Sequence, residues 1–100
     1  MVKKYAVHWT DAARDDLRAI HDYLLTVASQ ATAKRLTLEI EQSTRFLPEY
    51  PRLYQVFPES IERARHIVTY SWRLLYVVDD AARCCNVIAV VHTSRKEQRH

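Results

Sequence analysis

The chain has 100 residues, of which 48% are hydrophobic and 27% are charged, so its composition predicts one folded domain over residues 1–100. It contains no glycine, which excludes the glycine-rich loops that bind nucleotide phosphates and dinucleotides. The first five residues lead into an alternating segment rather than the core of a signal peptide, and no apolar run is long enough to cross a bilayer. We therefore expect a cytoplasmic protein that does not contact a membrane.

The formal net charge of +3 comes entirely from the second half of the chain. Residues 1–50 carry seven basic and seven acidic side chains, whereas residues 51–100 carry eight basic and five acidic ones. Seven of those eight are arginines, whose guanidinium groups favour bidentate contacts with phosphates and carboxylates. The pattern indicates a nucleic acid or an acidic protein as partner, and a solvated basic surface is the alternative.

The two cysteines, Cys84 and Cys85, are neighbours in the sequence. Neighbours on an extended strand point to opposite faces, so the geometry disfavours a disulfide between them. Their spacing is not that of a zinc site. We expect core or half-buried thiols in a reducing compartment, and we predict neither a metal nor a cofactor.

Residues 3–9 alternate in the period of a half-buried strand, and a helix should follow directly. Thr10 before Asp11 has the pattern of a helix N-cap with an acidic residue in the first turn. The predicted helix has an apolar stripe at spacings of three and four, formed by Ala13, Leu17, Ile20, Leu24 and Val27.

A second helical series begins after a break near residues 28–30 and ends before Pro48, because proline cannot continue a helix. Its apolar and small positions are Ala33, Leu36, Ile40, Ser43 and Leu47. The short connection predicts that the two helices are antiparallel neighbours. Residues 48–58 contain three prolines and should form a loop or one short irregular strand. The side chains expected to pin this segment down are Tyr50, Leu53, Tyr54 and Phe57.

Three strands are predicted over residues 63–70, 72–79 and 84–92, which are rich in β-branched and aromatic residues. The fold class is therefore α+β, in the order strand-helix-helix-strand-strand-strand, with a helical hairpin packed on one face of a small, mainly antiparallel sheet. Trp9 and Tyr76 are expected in the core. The other face of the sheet, or its edge, is free for a partner. Residues 94–100 are expected to be a loose tail.

These elements carry residues that resemble a known family. The pattern Thr-x-x-Ala-x-x-Asp-Leu-x-x-Ile-x-x-Tyr, starting at Thr10, resembles the opening of the ParE branch of the RelE/ParE toxins. Further resemblance lies in Leu47-Pro48-x-x-Pro51, in Arg65, in Trp72-Arg73-Leu74-Leu75-Tyr76 and in Val90-Val91-His92. It spans roughly residues 3–96. The chain departs from the family by lacking the glycine often found just before the arginine of the second strand, and by lacking a His-x-Arg-Arg ending.

The resemblance implies the toxin of a type II toxin-antitoxin module, causing growth arrest and associated with plasmid stabilisation. We expect a ParE-like toxin that inhibits DNA gyrase by binding it. A cognate antitoxin would neutralise the toxin by wrapping an acidic or amphipathic tail around it, in a toxin-antitoxin hetero-oligomer. The alternative is a RelE-like endoribonuclease that cuts mRNA on the ribosome, although Gln55, Val56 and Phe57 stand where that branch has lysines. A further alternative is an inactive relative that only binds its antitoxin.

The main hypothesis assigns no catalytic residue. Its expected target-binding residues are Arg73, His92, Arg95, Lys96 and Arg99. For the nuclease, the catalytic candidates are Arg65, Arg73 and His92, since RNA cleavage needs an acid-base group and cations on the phosphate. The same residues also have structural interpretations. Arg65 and Arg73 would then be held in hydrogen bonds, and His92 would be a hydrogen-bonded histidine in the core or at its rim.

Two strand registers are compatible with this sequence. A two-residue turn at residues 70–71 would pair Arg65 with Tyr76 and place Arg65 and Arg73 on opposite faces of the sheet. A three-residue turn would pair Arg65 with Val77 and place both arginines on one face. The sequence leaves both registers open.

Overall fold

The computed structural model describes residues 4–94, and the predicted element order is confirmed. The elements are β1 (Ala6–Trp9), α1 (Asp11–Val27), α2 (Gln30–Gln42), β2 (Arg65–Thr69), β3 (Trp72–Asp79) and β4 (Cys84–His92). None of the helices in the described part is long and apolar enough to cross a membrane. Nor do the described residues contain a group of His, Cys, Asp or Glu side chains that could hold a metal ion.

Both helices begin directly after an N-cap residue whose side chain accepts a hydrogen bond from the first turn. The Thr10 hydroxyl accepts a hydrogen bond from the Ala13 amide at 3.2 Å, as predicted, and Ser29 caps α2 in the same way. The predicted end of α2 is wrong, because the helix stops at Gln42 and residues 43–49 form turns. The Ser43 hydroxyl donates to the Ile40 carbonyl at 2.6 Å, a local side-chain bond of the kind that competes with helical backbone bonds.

The four strands form one sheet in the order β1-β4-β3-β2. The β1–β4 pair is parallel and the other two pairs are antiparallel. A two-residue turn at residues 70–71 joins β2 to β3, so Arg65 pairs with Tyr76 and Val68 pairs with Arg73. The structure therefore selects the register that places Arg65 and Arg73 on opposite faces of the sheet.

The main core lies between the helical hairpin and one face of the sheet. Its largest fully buried side chains are Tyr76, Ile40, Leu47, Leu74, Val87 and Cys85. Tyr76 is in the core as predicted, whereas Trp9 is half-buried against it. Cys84 is half-buried and Cys85 buried, and both are free thiols. Burial raises the pKa of the Cys85 thiol to about 11, so this thiol stays protonated and unreactive at neutral pH.

The proline-rich segment between α2 and β2 is held by polar contacts and by the packing of Tyr54 and Phe57. The Tyr76 hydroxyl donates to the Pro51 carbonyl at 2.7 Å, and Arg52 donates to Asp80 at 2.6 Å. Phe57 is buried, as expected of an anchoring side chain. The prediction that Tyr50 and Leu53 pin the segment is wrong, because these side chains are 58% and 54% exposed.

Candidate functional site

Arg73 lies on the sheet face that the helices do not cover, near the start of β3. Its guanidinium carbon is 4.3 Å from the centre of the Phe57 ring, and its Nε donates to Nδ1 of His66 at 3.1 Å. The Phe57 and His66 rings lie 5.1 Å apart. A loop residue, a β2 residue and a β3 residue thus form one packed cluster, which we call the Arg73 cluster. Its half-buried cation has no carboxylate within ion-pair distance in the described part of the chain.

The electrostatics of the Arg73 cluster keep His66 neutral. Burial is the main cause that lowers the pKa of His66, the positive charge of Arg73 adds to it, and Glu59 acts in the opposite direction. A neutral ring leaves Nδ1 free to accept the Arg73 hydrogen bond, whereas a protonated ring would turn two donors toward each other. The contact therefore depends on the protonation state of His66.

This dependence predicts a pH effect on stability. The pKa of His66 is below its unfolded value of about 6.5, so the unfolded chain binds the proton first. The stabilisation that comes from neutral His66 is fully present above the unfolded pKa. It is lost as the pH falls from the unfolded pKa through the lower folded pKa. We expect the free energy of unfolding, measured by urea titration, to fall from pH 7 to pH 5 less steeply in His66→Gln than in the wild type. The exposed His8→Gln variant is the control, and parallel slopes for wild type and His66→Gln would refute the prediction.

Arg65 lies on the helix-covered face, and its side chain binds the proline-rich segment. Its Nη1 donates to the Tyr54 carbonyl at 2.6 Å, and the side chain is half-buried. Together with the Val56–Arg65 bridge, this bond fastens the proline-rich segment to the start of β2. The contact fits the structural interpretation of Arg65.

His92 ends β4 and is exposed at the rim of the sheet rather than buried in the core. Its ring meets Trp72 edge-on with centres 5.0 Å apart, and Trp72 meets Tyr23 of α1 in the same manner at 6.5 Å. The His92 Nδ1 lies 2.7 Å from the Ser94 hydroxyl. We call Tyr23, Trp72 and His92 the aromatic rim. The expected target-binding residues Arg95, Lys96 and Arg99 lie outside the described residues.

The structure does not bring the three nuclease candidates together. His92 pairs with Trp72 across the strands, so it shares the helix-covered face with Leu74 and Tyr76, whereas Arg73 points to the opposite face. Arg65 pairs with Tyr76, four positions along β3 from the partner of His92.

His66 was not predicted as a partner of Arg73. The available signal was the two-residue turn, because the register that it sets places His66 and Arg73 on one face.

The sequence also matches a protein family. The family described as the ParE toxin of the type II toxin-antitoxin system, parDE, matches residues 7–97. The chain belongs to the ParE toxin family. It is thus a ParE-type toxin of a type II toxin-antitoxin system, and the family resemblance predicted from the sequence is confirmed.

Solved toxin structures share the fold of this chain. The chromosomal ParDE toxin-antitoxin system of P. aeruginosa aligns with a TM-score of 0.77 at 15% identity, over 89% of this toxin and 96% of the matched chain. The RelBE2 toxin-antitoxin complex of Mycobacterium tuberculosis aligns with a TM-score of 0.64 at 22% identity, over 89% and 98%. A mutant E. coli RelE toxin in the free state aligns with a TM-score of 0.60 at 18% identity, over 89% of this toxin and 83% of the matched chain. No curated protein sequence matches the toxin significantly. The predicted α+β class is confirmed, and ParE and RelE toxins share this fold.

Proposed function

We propose that this toxin arrests growth by binding and inhibiting DNA gyrase, with no chemistry of its own, and that a cognate antitoxin neutralises it. The observation that carries this proposal is the separation of Arg65, Arg73 and His92 on two faces of the sheet. An acid-base group must lie within hydrogen-bond reach of the proton it transfers, and the cations must reach the same phosphate. The sheet lies between His92 and Arg73, and this separation argues against one nuclease centre formed by the three side chains.

The aromatic rim is the surface that we assign to the target. Tyr23 is 55% exposed and contacts Trp72. Trp72 in turn contacts the exposed His92 at the end of β4. Aromatic and arginine side chains are enriched at the energetically dominant positions of protein interfaces. The rim joins aromatic side chains to the basic residues that follow Ser94 in the sequence, and this combination suits a protein target.

The alternative function is ribosome-dependent cleavage of mRNA, and the Arg73 cluster is the observation in its favour. His66 is a neutral imidazole in contact with a guanidinium, and this pair lies on the uncovered face. Such a pair has the components of an acid-base group beside a phosphate-binding cation. Its nuclease site would therefore contain His66 and Arg73, without Arg65 and His92.

Two assays with one set of variants distinguish these functions. We expect the purified toxin to inhibit supercoiling by DNA gyrase, and His66→Gln to retain this inhibition within about twofold because no proton transfer is involved. If the toxin were a nuclease, His66→Gln and Arg73→Ala would each lower ribosome-dependent cleavage by about 10²-fold or more. His92→Gln is the matched histidine control in the cleavage assay alone, since His92 lies on the other face of the sheet. Undiminished supercoiling together with mRNA cuts that His66→Gln abolishes in a folded protein would overturn the proposal.

A further inference from the structure

The turn between β2 and β3 contains a tyrosine in a backbone conformation that tyrosine disfavours. Among the described residues, a positive φ occurs at Arg63, Tyr70 and Arg83, and the φ of Tyr70 is 57°. The Cβ atom crowds the backbone in this left-handed region, so a bulky side chain there is an outlier. Two-residue hairpin turns favour glycine or asparagine at their first position, which Tyr70 occupies. A tyrosine at this position therefore lowers the stability of the folded toxin.

The side chain of Tyr70 does not offset this loss by burial, because it is 57% exposed. Its hydroxyl accepts a hydrogen bond from Nη1 of Arg35 at 3.4 Å, an exposed contact that is longer than such bonds usually are. Neither turn propensity nor packing thus accounts for tyrosine at position 70. Residues that break a local rule without a gain in stability are characteristic of functional sites.

Tyr70 lies at the end of the sheet that carries the aromatic rim. It precedes Trp72, the first residue of β3, by two positions. The carbonyl of Ser71 accepts a hydrogen bond from the amide of Thr93 at 2.8 Å, and Thr93 directly follows His92. The turn at residues 70–71 is therefore a direct neighbour of the aromatic rim.

Both helices contact this hairpin through an exposed tyrosine. Tyr23 of α1 packs edge-on against Trp72, and Arg35 of α2 donates to the hydroxyl of Tyr70. The two tyrosines are 55% and 57% exposed. Tyrosine gives a protein interface a large and rigid contact area at a low entropic cost, and it is enriched, with arginine, at the positions that dominate binding.

We propose that Tyr70 contacts the protein target of the toxin and extends the aromatic rim across the turn between β2 and β3. This inference rests on the proposed function in taking DNA gyrase as that target. The guanidinium of Arg35 orients the hydroxyl, and the exposed ring supplies apolar area that a bound protein buries. Because the turn adjoins the rim that we assign to the target, this continuity favours the target over the antitoxin as the occupant.

The variant Tyr70→Asn separates a binding role from a structural one, because the two roles predict opposite changes. Asparagine is tolerated in the left-handed region, so we expect the melting temperature to rise by about 3 °C or more. Inhibition of gyrase supercoiling should weaken by about tenfold or more, the scale of losing a tyrosine that anchors an interface. The expected result is a more stable toxin that inhibits gyrase less well.

Arg83→Asn is the matched control. Arg83 is exposed, has a φ of 52° and lies in the turn between β3 and β4, at the opposite end of the sheet. This variant should also gain stability, and it should inhibit gyrase within about twofold of the wild type because it lies outside the proposed interface. Wild-type inhibition by Tyr70→Asn, or an equal loss in both asparagine variants, would overturn the proposal. A melting temperature of Tyr70→Asn below that of the wild type would make Tyr70 a structural residue and would also overturn it.

The outcome is separable from that of the gyrase proposal. A wild-type toxin that arrests growth without inhibiting supercoiling would refute gyrase as the target, and growth inhibition normalised to protein level would then compare the same variants. A loss of toxicity of about tenfold in Tyr70→Asn alone would still support a target contact. Full toxicity and full supercoiling inhibition, together with weaker binding of the antitoxin encoded beside this toxin, would assign Tyr70 to the antitoxin and overturn the inference.

Discussion

Removal of residues 95–100 is expected to lower toxicity by about tenfold or more, because arginine contacts at an interface are often worth 2 kcal/mol or more each. The deletion takes away Arg95, Lys96 and Arg99, which follow His92 of the aromatic rim in the sequence. The measurement is growth inhibition after induced expression, normalised to protein level. Ser94 is retained in the deletion variant because its amide donates a hydrogen bond to Nδ1 of His92 at 3.1 Å. Of the predicted loose tail, Ser94 is therefore held, and residues 95–100 lie outside the described residues.

The control for this deletion keeps the length and removes the charge. A variant with Gln at positions 95, 96 and 99 should lose as much toxicity as the deletion if the cations make the contact. Both forms should unfold at the wild-type temperature, since residues after the last strand rarely hold a core together. A truncated toxin with full activity, or a Gln variant with full activity, would remove these residues from the target-binding set.

Replacing Ile40 with Ala is expected to lower the free energy of unfolding by about 3 kcal/mol. The Ile40 side chain is 1% exposed and lies in the core between the helical hairpin and the sheet, so its removal leaves a cavity. Urea unfolding followed by circular dichroism measures the change. Because a small domain is only marginally stable, the same substitution should also reduce toxicity by lowering the folded fraction.

Leu38→Ala on the same helix is the matched control. Leu38 is 47% exposed, and surface truncations usually change stability by about 0.5 kcal/mol or less. Similar losses for Ile40→Ala and Leu38→Ala would contradict the assignment of the core face of α2.

Local signals determined most of the secondary structure. The predicted bounds of β3 and β4 coincide with the observed strands, and the Thr10 cap starts α1 where expected. The end of α2 was the clear error, because the apolar spacing continues to Leu47 while the backbone leaves the helix at Gln42. A periodic pattern marks which side chains face the core, and a turn can keep them there without helical hydrogen bonds. Leu47 is fully buried in spite of the turn.

The sequence by itself determined the element order, the α+β class and the family, because these depend on periodicity, caps and motif spacing along the chain. Only the tertiary structure decided which side chains share a face. A turn longer by one residue at positions 70–71 would place Arg73 on the same face as Arg65, since the side-chain period of a strand is two. The loop that brings Phe57 onto Arg73 is likewise positioned by long-range contacts, and no local pattern encodes where such a loop comes to rest.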